Sequence, residues 1–124
     1  MTEATIKGEL SKRFKAAFPQ LVVLRPEDRF TSGIPDFILL GNAHASFLEI
    51  KFTTNGKFKY TKLQELMLRK LANEGFATYL VVFELCGGIK QTRLFRSGML
   101  ECEQVLFGFD YDYLVKTIGV IHGL

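Results

Sequence analysis

Gly33-Ile34-Pro35-Asp36-Phe37-Ile38-Leu39-Leu40-Gly41-Asn42-Ala43-His44-Ala45-Ser46-Phe47-Leu48-Glu49-Ile50-Lys51 decides the fold: it reads as a turn, a strand, a polar turn and a second strand. Pro35 fixes φ and cannot donate to a ladder, so it belongs at a strand's start, after the permissive Gly33. Asp36 opens the apolar run Phe37-Ile38-Leu39-Leu40, which Gly41-Asn42 breaks and turns. The return strand, Phe47 to Phe52, alternates with period two. Leu48, Ile50 and Phe52 share one face, and Glu49 and Lys51 share the other. Hairpin pairing brings the start of the first strand to the end of the second. Asp36, Glu49 and Lys51 are thereby gathered into one small volume.

Two carboxylates and an ammonium have a common chemical use. Carboxylates supply hard oxygen ligands to Mg²⁺, which sits beside substrate phosphates and keeps several waters. The cation acidifies water and neutralises charge on a phosphodiester, while a lysine alongside acts as a point charge. Taken alone, a Glu-x-Lys on a strand is a solvated face, and Pro-Asp is an ordinary turn. Their combination on paired strands, followed by a helix headed by Gln64, resembles the PD-(D/E)xK nuclease superfamily. The wider pattern of Gly33-Ile34-Pro35-Asp36, Glu49-Ile50-Lys51, Gly56 and Gln64 is similar to its VRR-Nuc branch, whose standalone members resemble Holliday-junction resolvases.

The resemblance implies an α/β fold with a restriction-endonuclease-like αβββαβ core, a mixed sheet flanked by helices, over about residues 3–84. It implies a metal held by Asp36, Glu49 and the Ile50 carbonyl, with Mg²⁺ as cofactor and Mn²⁺ equally acceptable to oxygen ligands. Lys51 and Gln64 complete the catalytic set. Many superfamily members add a glutamate from the first helix. Glu3 precedes Leu10 by a heptad and so drifts only about 20° from it, over the apolar stripe, whereas Glu9 lies off the stripe. Related nucleases place apolar residues where Ile6 and Leu10 follow Glu3, so Glu3 is the expected ligand.

Composition agrees with one domain over 1–124. Of 124 residues, 48% are hydrophobic and 23% charged, with 16 Lys plus Arg against 13 Asp plus Glu, a mild +3 that permits a nucleic-acid partner. No apolar run is long enough to cross a bilayer and no signal segment is visible, so no membrane partner and a cytoplasmic setting, bacterial or phage-infected, are expected. Cys86 and Cys102 lack metal spacing. His44 and His122 have no Cys or His partner at ligand spacing, and nothing in the sequence links them to a nucleophile.

Along the chain, Thr2 caps a first helix whose Ile6, Leu10, Phe14 and Ala17 face inward and which Pro19 stops. Leu21-Val22-Val23-Leu24 reads as a short buried strand, and Arg25 to Ser32 as a loop. Beyond the hairpin, Lys57, Lys59 and Lys62 interleave with Phe58 and Tyr60 as a DNA-backbone rim; Arg25, Arg29 and Lys7 are weaker candidates. Thr61 caps a second helix with an apolar stripe of Leu63, Leu66, Met67, Lys70 and Leu71, ended by Gly75. Ala77 to Leu85 is a central strand, Gly87-Gly88 a turn, Gln91 to Phe95 an edge strand, and Asp110 caps a last helix. Residues 96–109 have no clear period.

The expected activity is a metal-dependent endonuclease on branched or structured DNA, including Holliday-junction resolution. A restriction-like or homing endonuclease and a non-catalytic nucleic-acid-binding module on the same fold are the alternatives. Symmetric cutting of a junction needs two sites, so a homodimer is expected, built partly from apolar residues of 94–118 such as Leu94, Phe95, Val105, Phe107 and Phe109.

Overall fold

A computed structural model describes residues 1–27, 33–101 and 103–124. Its elements run α1 (Glu3–Ala17), β1 (Val22–Leu24), β2 (Phe37–Gly41), β3 (His44–Thr53), α2 (Lys62–Asn73), β4 (Ala77–Cys86), β5 (Ile89–Arg96), β6 (Glu103–Phe107) and α3 (Tyr111–Ile121). Arg29, Cys102 and most of the Arg25–Ser32 loop lie outside the described residues. The strands form one sheet in chain order, β1 to β6. Among the described strands only β3 and β4 pair in parallel, joined by the α2 crossover. The αβββαβ core and the mixed sheet expected from the sequence are present.

Alternation along the central strand feeds two cores. Val81 and Phe83 of β4 join Ile6, Leu10 and Phe14 of α1 and Leu114 and Ile118 of α3, whereas Leu80 and Val82 join Leu68 of α2. Glu49 and Lys51 alternate with the buried Leu48 and Ile50, so they lie on the α2 side. The β2–β3 turn is tighter than the sequence suggests. Asn42 and Ala43 both take positive φ (54° and 62°), the geometry of a two-residue hairpin turn, and β3 starts at His44 instead of Phe47.

Several expectations need correction. Ala17 is exposed, while Phe14 in the same turn of α1 is buried. β1 is an edge strand rather than a buried one, with Val22 50% and Leu24 44% exposed. β5 is not an edge, since β6 pairs outside it and supplies the structure of part of 96–109. The stripe on α2 is only partly covered, with Met67 and Leu71 half-buried. Leu68 is the residue α2 buries, while Leu63 and Leu66 stay exposed. Among the described residues, α2 packs mainly on β4, and part of the same side of β1 and β2 forms an exposed apolar shelf. Val22, Leu24 and Leu40 form the shelf, Val22 pairing with Leu40 across the strands. Gly33 seats the helix start against β2: a Cβ there would stand 2.8 Å from the Leu63 carbonyl oxygen.

Leu94 and Phe95 are buried and Phe109 packs edge-on against Phe52 and Phe83, so these three serve the core and not an interface. His122 is fully buried. Its Nδ1 lies 2.8 Å from the Gly41 carbonyl, to which it donates, so Nε2 accepts from the Ser46 hydroxyl at 2.9 Å. A Ser–His contact thus exists that the sequence did not reveal. With both side chains sealed from solvent, it pins α3 to the hairpin instead of presenting a nucleophile.

Candidate active site

The hairpin register decides the site. Phe37 pairs with Leu48, so Asp36, one residue ahead, lies beside Glu49 and Ile50. Its Oδ2 accepts the Ile50 backbone N–H at 2.8 Å. Its Oδ1 accepts the Lys7 ammonium at 2.8 Å, reached across from α1. Glu49 is only 3% exposed and lies beside Asp36 across the paired strands. Burial, then the neighbouring Asp36 carboxyl and its charge, push the Glu49 carboxyl up to about 9, which favours one proton shared by the pair. Burial also acts to raise Asp36, but the Glu49 proton, Lys7 and the Ile50 N–H outweigh it and hold Asp36 below its ordinary value. Burial works to lower Lys7, yet its bond to Asp36 keeps it above its usual range.

One atom is left over. Glu49 Oε2 is buried with no hydrogen-bond partner. A buried carboxyl oxygen with no partner beside a carboxylate is costly unless something else completes it, and a hard divalent cation has the right chemistry. The residues present fit such an ion as a two-carboxylate site. Among the described residues no group of three His, Cys, Asp or Glu side chains comes together. Glu3 stands at the start of α1, 3.7 Å from Lys7, and reaches the pair through that lysine.

Lys51 follows Glu49 on the same face and lines an open cleft of about 480 Å³ with Glu3, Lys57, Lys59 and Gln64. A second depression of about 240 Å³ holds Asp36, Lys7, Arg25 and Glu27, with Glu3 on the rim common to both. Gln64 has a structural duty: its Oε1 accepts the Thr61 N–H at 3.0 Å while Thr61 Oγ1 accepts the Gln64 N–H at 3.1 Å. That reciprocal cap starts α2.

The loop from Thr53 to Tyr60 is built, not slack. Thr53 Oγ1 donates to the Lys57 carbonyl at 2.7 Å, and Asn55 Oδ1 accepts the Lys57 N–H at 2.9 Å. Phe58 and Tyr60 turn inward against Leu68, Leu80, Val82 and Phe95. The Tyr60 hydroxyl donates to the Gly98 carbonyl at 3.0 Å, and burial pushes it up to about 12. The aromatics therefore anchor the loop, and Lys57, Lys59 and Lys62 are exposed. Lys62 spends part of its charge on Glu65, 3.7 Å away. Arg25 lies over the Phe37 ring at 5.5 Å.

Lys7 is the residue the sequence undervalued. Its spacing of one helical turn from Glu3 was the available signal, since such pairs share a helix face.

No family model matches the sequence, and no curated protein matches it. Among solved structures, the chain is similar to Hjc, a Holliday junction resolvase of the archaeal hyperthermophile Archaeoglobus fulgidus. The TM-score is 0.53 at 11% identity, over 90% of this chain and 99% of that one. The likeness is one of fold. No helix among the described residues is long and apolar enough to cross a membrane.

Proposed function

We propose that this chain is a divalent-metal-dependent nuclease that hydrolyses phosphodiester bonds in branched DNA, with the four-way junction as its leading substrate. The observation that carries this is the partnerless Glu49 Oε2 beside Asp36, next to a cleft lined by Lys51, Lys57 and Lys59. A fold like that of a Holliday junction resolvase supports it. The Gly33 to Asp36, Glu49 to Lys51 and Gln64 pattern supports the VRR-Nuc branch.

When bound, Mg²⁺ or Mn²⁺ supplies charge neutralisation at phosphate and acidifies water. Asp36, Glu49 and the Ile50 carbonyl would hold it, with both carboxyls in their ionised form. Glu3 is the helix-1 carboxylate at the rim of the cleft. Lys51 steadies the attacking water or the charge growing on the phosphate. Gln64, its carbonyl occupied by the helix cap, has an amide NH₂ to offer a phosphate oxygen. Lys57, Lys59, Lys62 and Arg25 hold the DNA backbone by charge, without reading sequence. A pure binding module is the poorer reading, because two carboxylates facing phosphate weaken binding.

Two symmetric cuts need two sites, and we assign the second to another copy of this chain. Val22, Leu24 and Leu40 on the sheet and Leu63 and Leu66 on α2 are large apolar side chains exposed to solvent, the kind of surface that the centre of an interface buries. Ridge and shelf belong to one chain, so a two-fold axis can pair each with the other. The deciding experiment is cleavage of duplex, flap, splayed and four-way DNA side by side, with Mg²⁺ and with EDTA. Metal-dependent cutting that favours the four-way substrate is expected. No cutting of any substrate with either Mg²⁺ or Mn²⁺ would overturn the proposal.

A further inference from the structure

The position of Lys7 has a consequence for cation binding that the nuclease reading does not contain. A lysine on the first helix could have pointed to solvent, as Lys12 and Lys15 do. Instead the Lys7 ammonium crosses to β2 and sits 2.8 Å from Asp36 Oδ1, with its side chain 21% exposed. The other Asp36 oxygen is taken by the Ile50 N–H. The Lys7 ammonium and the Ile50 N–H are thus both engaged on Asp36, while Glu49 Oε2 has no partner. Glu3, 3.7 Å from the same ammonium, offers a second anchor on the rim of the adjoining depression, which Arg25 also lines.

We propose that Lys7 is a resident cation of the Asp36–Glu49 pair, which a divalent ion must displace, and that Glu3 receives the ammonium when it leaves. The proposal rests on the metal-site reading above. Its physical basis is competition: an ammonium and a divalent ion cannot both take the free lone pairs of one Asp36 oxygen without close like-charge contact. A resident positive charge keeps Asp36 ionised and in place while no metal is bound. It also sets a threshold on how tightly the metal binds. Lys7 is a positioning residue in this account, since it touches the ligand and not the substrate.

The account makes two effects of one substitution run in opposite directions. Lys7→Met removes the competitor, so Mn²⁺ affinity measured by calorimetry without DNA is expected to rise about fivefold or more, the lower end of ordinary coupling between competing ligands. The thermal midpoint in EDTA is expected to fall, because Asp36 loses its counter-charge. Lys7→Gln, which keeps a donor without the charge, should show the same rise in affinity with a smaller loss of midpoint, and it serves if the Met variant folds poorly. Glu3→Gln should weaken Mn²⁺ binding, since the ammonium then has no second anchor. Equal or weaker Mn²⁺ binding in both Lys7 variants, with wild type binding normally, overturns the resident-cation role alone. Absence of binding in wild type and variants, matching Asp36→Asn, overturns the metal site and this role with it.

Discussion

Asp36 Oδ2 accepts the backbone N–H of Ile50 at 2.8 Å, so the carboxylate that opens β2 is fastened to the residue between Glu49 and Lys51. Site geometry and strand pairing are thus one and the same arrangement.

Asp36→Asn and Glu49→Gln are expected to abolish cleavage while leaving DNA affinity within about twofold, because the lysines that hold the backbone are untouched. Lys51→Ala should slow cleavage by roughly a hundredfold or more, the usual cost of losing one charge-stabilising group, and leave Mn²⁺ binding intact. Gel cleavage assays beside binding titrations separate these outcomes. Wild-type turnover in either carboxylate variant would remove the site.

The raised Glu49 carboxyl predicts a pH dependence of stability in EDTA. A folded-state value of about 9 against the ordinary 4.5 means that the fold prefers the protonated form. This contribution is fully present below about pH 4.5 and is lost progressively as pH climbs toward 9. Asp36, held low, acts oppositely, and its contribution is lost only as pH falls below the ordinary carboxylate range. Urea denaturation should show wild type losing stability relative to Glu49→Gln between about pH 5 and 9. A constant difference across that window would contradict the shared proton.

Replacing Lys57, Lys59 and Lys62 with Gln should weaken binding to every DNA sequence alike. It should also flatten the plot of log affinity against log salt by close to one unit per lost phosphate contact. Lys62 is expected to contribute least, given its pairing with Glu65. An unchanged slope in the triple variant would place the DNA surface elsewhere.

The proposed dimer can be located by charge insertion. Leu40→Glu or Leu66→Glu should convert dimer to monomer in sedimentation at micromolar protein. Val105→Glu and Phe107→Glu, on the exposed face of the β6 edge, should not. The reverse pattern would move the interface to β6.

His122→Ala should cost about 2–4 kcal/mol, from a buried void together with the unpaired Gly41 carbonyl. Thr61→Ala, which removes only a helix cap, should cost about 1 kcal/mol. Denaturant midpoints rank the two.

The parts of this molecule governed by local rules were legible in the sequence. Period two placed Glu49 with Lys51, the turn at Gly41-Asn42 folded Asp36 back toward them, and Thr61 marked a helix cap. The parts governed by what sits across from a residue were not. Leu63 and Leu66 look like a buried stripe until α2 is seen to bury Leu68 instead. Glu103–Phe107 is hard to read as a strand because its apolar Val105 and Phe107 face out, which erases the usual contrast between faces. Lys7 and His122 act through partners 29 and 76 positions away, Asp36 and Ser46, and no window along the chain contains both.

The burial of His122 between Gly41 and Ser46 gives the chain a register key. These two residues bracket the β2–β3 turn, one on each strand, and the imidazole can satisfy both only when the strands meet as observed. A slip of one residue would turn Glu49 and Lys51 from the cleft into the α1 core and put Leu48 and Ile50 in their place. The last turn of the chain therefore proofreads strand alignment on behalf of carboxylates at the far end of the hairpin, which it never touches.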